Sequence, residues 1–244
     1  MGLCLSRGMG WQAGYRTISF LQMALTLILL LSLPLWKKQE LPLSGGETVR
    51  PQTPQWGKLL KRPGVKAALT AFFFYSALEL TTGLWGSSYM VAIRGISPET
   101  AAKWISLFYL GITAGRFFSG FLTLRFSDDA MVRLGEGTAI VGIILLLLPL
   151  HNLFLCVGLI LTGLGCAPIY PSLLHATPQR FGKSLSQSLM GTQMAISYLG
   201  STTMPPVSGF LSEKISMGLY PVLLLVFTLC MTILTEKGRH CTGE

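Results

Sequence analysis

The stretch Ala139-Ile-Val-Gly-Ile-Ile-Leu-Leu-Leu-Leu-Pro149-Leu-His151-Asn152-Leu-Phe-Leu-Cys156 decides the fold. An α-helix needs about 20 mostly apolar residues to cross the hydrocarbon core of a bilayer. Read as one helix, the apolar region around this stretch would run for about 48 residues, far too long for a single crossing. Pro149 removes a backbone donor, and His151-Asn152 supplies polarity where the chain must turn. The stretch therefore reads as a tight helical hairpin with both arms in the membrane.

The same reading finds seven apolar segments along the chain. They lie at about Trp11–Trp36, Gly64–Ala92, Thr100–Leu124, Ala130–Leu150, Asn152–Thr177, Leu185–Leu211 and Ser216–Leu234. Half of the 244 residues are hydrophobic and only 12% are charged. A soluble domain carries about 25% charged residues, so the chain lacks the surface of one. The fold class expected is an all-α polytopic membrane protein with about seven transmembrane helices. The run Ile18–Leu35 is long and no small-residue cleavage site follows it, so it reads as a span and not as a signal peptide.

The net charge of +9 reflects 19 Lys and Arg against 10 Asp and Glu. The basic residues lie between apolar runs and form no patch interleaved with aromatics, which argues against nucleic acid. They report orientation instead. The loop Lys37–Pro63 holds Lys37, Lys38, Arg50, Lys58, Lys61 and Arg62. Arg125, Arg133, Arg180, Lys183, Lys237 and Arg239 fall on the same side by alternation, against Arg7, Arg94 and Lys214 opposite, with Arg16 and Lys103 near those ends. This bias predicts a cytoplasmic C-terminus and an outside N-terminus in a multi-pass protein of the plasma membrane. The same loop is rich in Pro and Gly and reads as a cytoplasmic linker. The organisation expected is a single helix in 1–36, the linker in 37–63, a six-helix bundle in 64–236 and a cytoplasmic tail in 237–244.

Chemistry-bearing motifs are sparse. Cys4, Cys156, Cys166, Cys230 and Cys241 have no metal-ligand spacing, and His151, His175 and His240 form no HExxH. There is no phosphate-binding loop, no paired acids and no nucleophile–base set at membrane depth. Neither an enzyme nor a cofactor is expected.

Glu79 is the most informative residue. It lies midway along Tyr75-Ser-Ala-Leu-Glu79-Leu-Thr-Thr-Gly-Leu-Trp85-Gly-Ser-Ser-Tyr89. A carboxylate at that depth costs about 2.5–3.5 kcal/mol even on mild scales, so it should face a bundle interior or an aqueous cavity. It reads either as a proton-accepting, solute-contacting group or as a structural acid held by neighbouring hydroxyls. The third segment carries Tyr109, Thr113 and Arg116 on one stripe, with Gly111 and Gly115 in a small-xxx-small pattern that permits close helix contact. Arg116 reads as a snorkelling residue or as a gating partner of Asp128 or Asp129. Gly163-Leu-Gly-Cys-Ala-Pro-Ile-Tyr-Pro171 is expected to distort the fifth segment, and Pro205-Pro206 to break the sixth at its outer end. Gln193, Ser197 and Ser201, with Tyr198 beside them, form a polar stripe that either lines a solute path or bonds across helices. Ser119-Gly-Phe-Leu122 and Ser208-Gly-Phe-Leu211 close the middle helix of each triplet at opposite membrane faces, as an inverted repeat would.

On these residues the chain resembles the C-terminal half of the major facilitator superfamily. Gly115-Arg116-Phe-Phe-Ser-Gly120 through Arg125 is similar to a degenerate form of the family's Gly-x-x-x-Asp-Arg-x-Gly-Arg loop motif, with Leu124, Ser127 and Asp128 departing from it. The Glu79 segment, Gly163–Pro171 and Trp11–Arg16 resemble the seventh, tenth and sixth helices of the fucose–proton symporter and sugar permease branch. The resemblance implies a six-helix C-terminal bundle preceded by one helix and a linker. It implies transport of a small polar, sugar-like solute, proton-coupled in such proteins, whose key acidic residues for coupling lie in the first five helices; in this chain Glu79, by its depth in the second segment, is the candidate proton-coupling residue. Tyr75, Glu79, Trp85, Tyr109, Gln193 and Tyr198 would line the cavity, and Arg116, Arg125 and Asp128 would serve gating. Such transporters have twelve helices, so the chain is expected to be a fragment, inactive without an N-terminal bundle. The alternative is a seven-helix membrane receptor, sensor or subunit without transport activity.

Overall fold

A computed structural model describes residues 11–36, 60–149 and 151–242. It contains helices and no strand among the described residues. The chain divides into two compact units, residues 1–52 and 53–244. The first contains α1 (Trp11–Trp36). The second contains α2 (Val65–Arg94), α3 (Pro98–Leu122), α4 (Asp128–Leu147), α5 (Asn152–Phe181), α6 (Lys183–Lys214) and α7 (Tyr220–Thr242), the last entered through a 3-10 turn at Met217–Leu219. Most of the linker expected at 37–63 lies outside the described residues. The expected tail differs in part, because helix α7 continues through residues 237–242.

Local sequence sets the helix ends. Gly95 adopts a left-handed φ of 64° that closes α2. Ser97 then caps α3, its Oγ accepting from the Thr100 N–H, with Pro98 in the first turn. Ser127 caps α4 through the Ala130 N–H, and Asp128 and Asp129 sit in the first turn where the helix dipole favours acids. His151 caps α5, its ring Nδ1 accepting from the Leu153 N–H at 3.3 Å. The turn that decides the fold is thus capped by one of its own two polar residues. Gly182, at φ 88°, separates α5 from α6.

Six of the helices described are long and apolar enough to cross a membrane. The exception is α6, which has 32 residues but lacks an apolar window of spanning hydropathy. The chain is a polytopic α-helical membrane protein.

Helix α5 is the centre of the second unit, packing along α3 on one side and α4 on the other, while α2 packs along α6 and α7. Glycines set the spacing. A Cβ on Gly111 or Gly115 of α3 would strike α5 at Ile160–Leu164 and Ala167, and one on Gly163 would strike the Phe108 carbonyl of α3. On the other face, a Cβ on Gly142 of α4 would lie 2.5 Å from the Thr162 nitrogen. The core around these crossings contains Phe72, Leu78, Phe108, Ile143, Leu159 and Met231.

The break expected at Pro205-Pro206 is not found, and the prolines of α5 do not interrupt that helix either. Helix α5 runs unbroken through Pro168, Pro171 and Pro178, and α6 through Pro205 and Pro206. Each proline forfeits one intrahelical bond, but neighbouring helices hold the backbone on either side, as membrane helices allow.

A prediction follows from the crossings. Gly163→Val would press a branched side chain into the α3 backbone, and overpacking of this kind costs about 1–3 kcal/mol or more. The purified variant should melt well below the parent in detergent. Gly137→Ala, inside α4 at a site with open space around it, should not lower the melting temperature and should raise it slightly, since alanine favours the helix over glycine.

Candidate functional site

Glu79 sits in the middle of α2 with its side chain 22% exposed, and Arg116 of α3 approaches its Oε1 to 3.8 Å. Helical spacing brings the two together. Tyr75, Glu79 and Gly83 recur every four residues on one face of α2, and Tyr109 and Arg116 lie seven apart on α3. The Tyr109 hydroxyl occupies the space a Cβ would need at Gly83. The small residue one turn beyond Glu79 therefore seats the aromatic ring that flanks the carboxylate.

Further groups close around Glu79. Tyr75, Tyr109, Tyr170 and Cys166 are all near enough to interact with it electrostatically. Tyr170 of α5 packs edge-on against Phe72 at 5.1 Å between ring centroids and against Tyr75 at 5.6 Å. The Tyr75 hydroxyl is buried beside Glu79. Tyr198 of α6 faces Tyr170 and is otherwise open.

Beyond Arg116 opens a cleft of about 730 Å³ between α3, α5 and the start of α4, lined by Arg116, Ser119, Thr123, Asp128, Tyr170 and His175. Its rim carries a second pair, with His175 Nδ1 2.8 Å from Asp128 Oδ2. The expected pairing of Arg116 with Asp128 or Asp129 is therefore corrected. Arg116 turns to Glu79, Asp128 is taken by His175, and Asp129 by Arg180. The two acids stand in the first turn of α4, within reach of the end of α5, and this leaves Arg116 to its own neighbour on α2.

The structure brings together Tyr75, Glu79, Tyr109, Arg116 and Tyr198, with Asp128 at the rim. Trp85 and Gln193 are placed elsewhere. The Trp85 indole N–H donates to the Pro205 carbonyl at 2.8 Å and its ring lies over Gly209, which joins α2 to α6. Gln193 is buried, and its Oε1 accepts from the Thr177 hydroxyl at 3.0 Å beside a void of only about 10 Å³, barely one water. Arg125 is exposed; its backbone N–H donates to the Leu122 carbonyl at 2.9 Å, and its side chain has no hydrogen bond or ion pair among the described residues.

Two groups escape the sequence reading. Tyr170 belongs to the site, and its i, i+4 relation to Cys166 on the face of α5 turned toward α2 is the signal that finds it. Glu136 is a second buried acid, bound by the Thr235 hydroxyl of α7 at 2.8 Å. It stands within an apolar segment as Glu79 does, so the same depth argument applies to it. Nearby, Arg133 grips Glu236 with two bonds of 2.9 and 3.0 Å, which ties α4 to α7.

The buried placement of Gln193 yields a prediction. Thr177→Val strips its Oε1 of a donor, and an unsatisfied buried acceptor costs about 1–3 kcal/mol. Thermal unfolding in detergent should register that loss. An unchanged midpoint would mean that Gln193 has another partner to turn to.

Residues 67–237 match the family described as the Major Facilitator Superfamily. The chain is 24% identical over 197 residues to "Bypass of stop codon protein 6" of Saccharomyces cerevisiae, which covers 74% of this chain and 38% of that protein. Among solved structures it is similar to the Major Facilitator Superfamily transporter FucP in an outward conformation, with a TM-score of 0.66 and 18% identity, over 80% of this chain and 47% of that one. It is also similar to a variant of the E. coli fucose:proton symporter FucP, with a TM-score of 0.60 and 20% identity, over 76% and 44%. The chain spans less than half the length of each of these relatives.

Proposed function

This chain belongs to the Major Facilitator Superfamily, and we propose that it forms one half of a secondary transporter for a small polar, sugar-like solute, coupled to protons through Glu79. The observation that carries this reading is the Glu79–Arg116 pair. A carboxylate in the middle of an apolar helix is held at 3.8 Å by a guanidinium that itself faces an open cleft. An acid kept for structure is expected to be enclosed by tight hydrogen bonds, as Glu136 is by Thr235. Glu79 is instead loosely paired and partly exposed, beside the guanidinium that faces the cleft. Tyr109, Tyr170 and Tyr198 supply aromatic faces and hydroxyls on which a polyhydroxylated solute can stack and bond, with buried Tyr75 behind Glu79.

Alternating access by rocking needs two bundles around one site. The six helices α2–α7 supply one, so in this reading a second bundle is needed for alternating access, and the solute-binding groups named above lie on this one. The protein crosses the plasma membrane with its C-terminus in the cytoplasm, the side that the Lys and Arg bias assigns. At that side Asp128, held by His175 at the rim of the cleft, together with Arg125 serves opening and closure in this reading, while Arg116 is engaged by Glu79. Its partners are the lipid bilayer and the solute.

Uptake into proteoliposomes by a transporter completed with a matching N-terminal bundle tests the reading. Coupling free energies of about 1–3 kcal/mol correspond to effects of about 5–150-fold. Glu79→Gln should lower proton-driven uptake by an amount in that range and remove its pH dependence, while solute exchange without a proton gradient persists. Unchanged uptake across pH removes Glu79 from the mechanism.

A further inference from the structure

Arg116 stands where two environments meet. On one side is Glu79, and on the other the cleft lined by Ser119, Thr123, Tyr170, Asp128 and His175. A guanidinium has five donors in a planar fork. Among the described residues its side-chain partner is Glu79, in an ion pair at 3.8 Å, beyond hydrogen-bond range. The side chain is 60% exposed, so its fork is open to whatever enters the cleft. The other acid in the cleft does not compete for it, because His175 holds Asp128 at 2.8 Å.

A neutral sugar has no need of a fixed cation in its path, whereas a planar fork matches a carboxylate with two parallel bonds. The remaining lining suits hydroxyl groups. Ser119 donates to the Gly115 carbonyl at 2.6 Å and Thr123 to the Gly120 carbonyl at 3.0 Å. Both hydroxyl oxygens thus keep lone pairs free to accept from a ligand. We propose that the cleft takes a small hydroxylated carboxylate, a sugar acid in chemical class, with its carboxylate on Arg116 and Glu79 as the internal carboxylate it competes with. This rests on the transport reading of the same cavity and narrows its substrate class.

The competition gives the coupling a physical origin. Glu79 faces Tyr75 on its own helix, Tyr109 and Arg116 on α3, and Cys166 and Tyr170 on α5, with Tyr198 of α6 behind Tyr170. Of these only Arg116 is charged. An anion arriving at Arg116 places a second negative charge beside Glu79 with no second cation to balance it. Uptake of one proton from water by Glu79 restores neutrality, so anion and proton enter together.

Titration calorimetry on the intact chain in lipid nanodiscs tests this with D-gluconate, with D-glucose as its neutral counterpart and sodium chloride as the ionic-strength control. Gluconate should bind, and the dependence of its heat on buffer ionisation should reveal proton uptake. Arg116→Gln should weaken gluconate by about tenfold to a hundredfold, the worth of a charge-assisted hydrogen-bonded pair, and Arg116→Lys by less. Glu79→Gln, which removes the competing carboxylate, should tighten gluconate binding and lose the proton uptake. Arg116 is exposed, so its replacement leaves no buried gap, and an unchanged circular dichroism melt verifies the fold. Absence of gluconate heat, or gluconate binding indifferent to Arg116→Gln, overturns the proposal. If glucose alone binds and depends on Glu79, the transport reading stands and the sugar acid falls. If gluconate binds through Arg116 without proton uptake, the anion site stands and proton coupling through Glu79 falls.

Discussion

The packing depends on how closely the backbone of α5 approaches its neighbours. In lipid the apolar effect draws no helix toward another, since the tails are as apolar as leucine. Helices associate through van der Waals contact, which is strongest where small residues let backbones touch. Helix α5 has such contact on two sides, through Gly163 against α3 and through Gly158 and Gly165 against α4. Gly111 and Gly115 answer from α3, Gly135 and Gly142 from α4. Because α3 and α4 are fixed to the same helix, the cleft between α3, α5 and the start of α4 has defined walls. Arg116 lies one residue beyond Gly115, so the crossing that packs the bundle also positions the guanidinium.

Against that tight frame, most polar groups inside the bundle are satisfied locally. Thr82, Thr162 and Thr228 each donate to the carbonyl four residues back, at 2.7, 2.8 and 2.8 Å. Tyr220 reaches the Thr82 carbonyl at 3.1 Å and Tyr89 the Leu146 carbonyl at 2.9 Å, each binding one helix to another. Arg94 closes the end of α4 by donating to the Leu146 and Leu148 carbonyls, where a cation also suits the helix dipole. The Glu79–Arg116 pair departs from this pattern, with a longer separation and partial exposure. Isolated loose pairs contribute little to stability. The pair's position is therefore better explained by what it can exchange than by what it holds together.

Much of this was legible in the sequence because its causes are local. Helix existence followed from apolar length, and the hairpin at His151-Asn152 from chain reach. Gly111 and Gly115 were readable as a contact surface because four-residue spacing places both on one face. The continuous course of α5 and α6 through five prolines was not readable. Whether a lost backbone bond breaks a helix depends on neighbours that packing alone supplies. The partners of Arg116, Asp128 and Asp129 were likewise hidden, since each is chosen across helices. The Ser-Gly-Phe-Leu echo shows the same limit. Gly209 lies under the Trp85 ring, while Gly120 faces open space, so equal sequences occupy unequal surroundings.

Helix α6 carries the argument furthest. It lacks the hydropathy of a free-standing span, and its polar stripe would be costly in lipid. The stripe is spent on neighbours instead. Gln193 meets Thr177 of α5, Ser197 meets Ser76 of α2, and the Pro205 carbonyl receives the Trp85 indole. Gly200 lets the α6 backbone touch that of Phe73. Three of these four contacts reach α2, the helix that carries Glu79. The helix least able to enter the membrane alone is thus secured to the helix with the most exposed need for polar company. Tyr198, one residue beyond Ser197, is left facing Tyr170 and the site. Polarity that would oppose insertion of α6 in isolation becomes, once α2 is present, the means by which α6 is oriented toward the cavity.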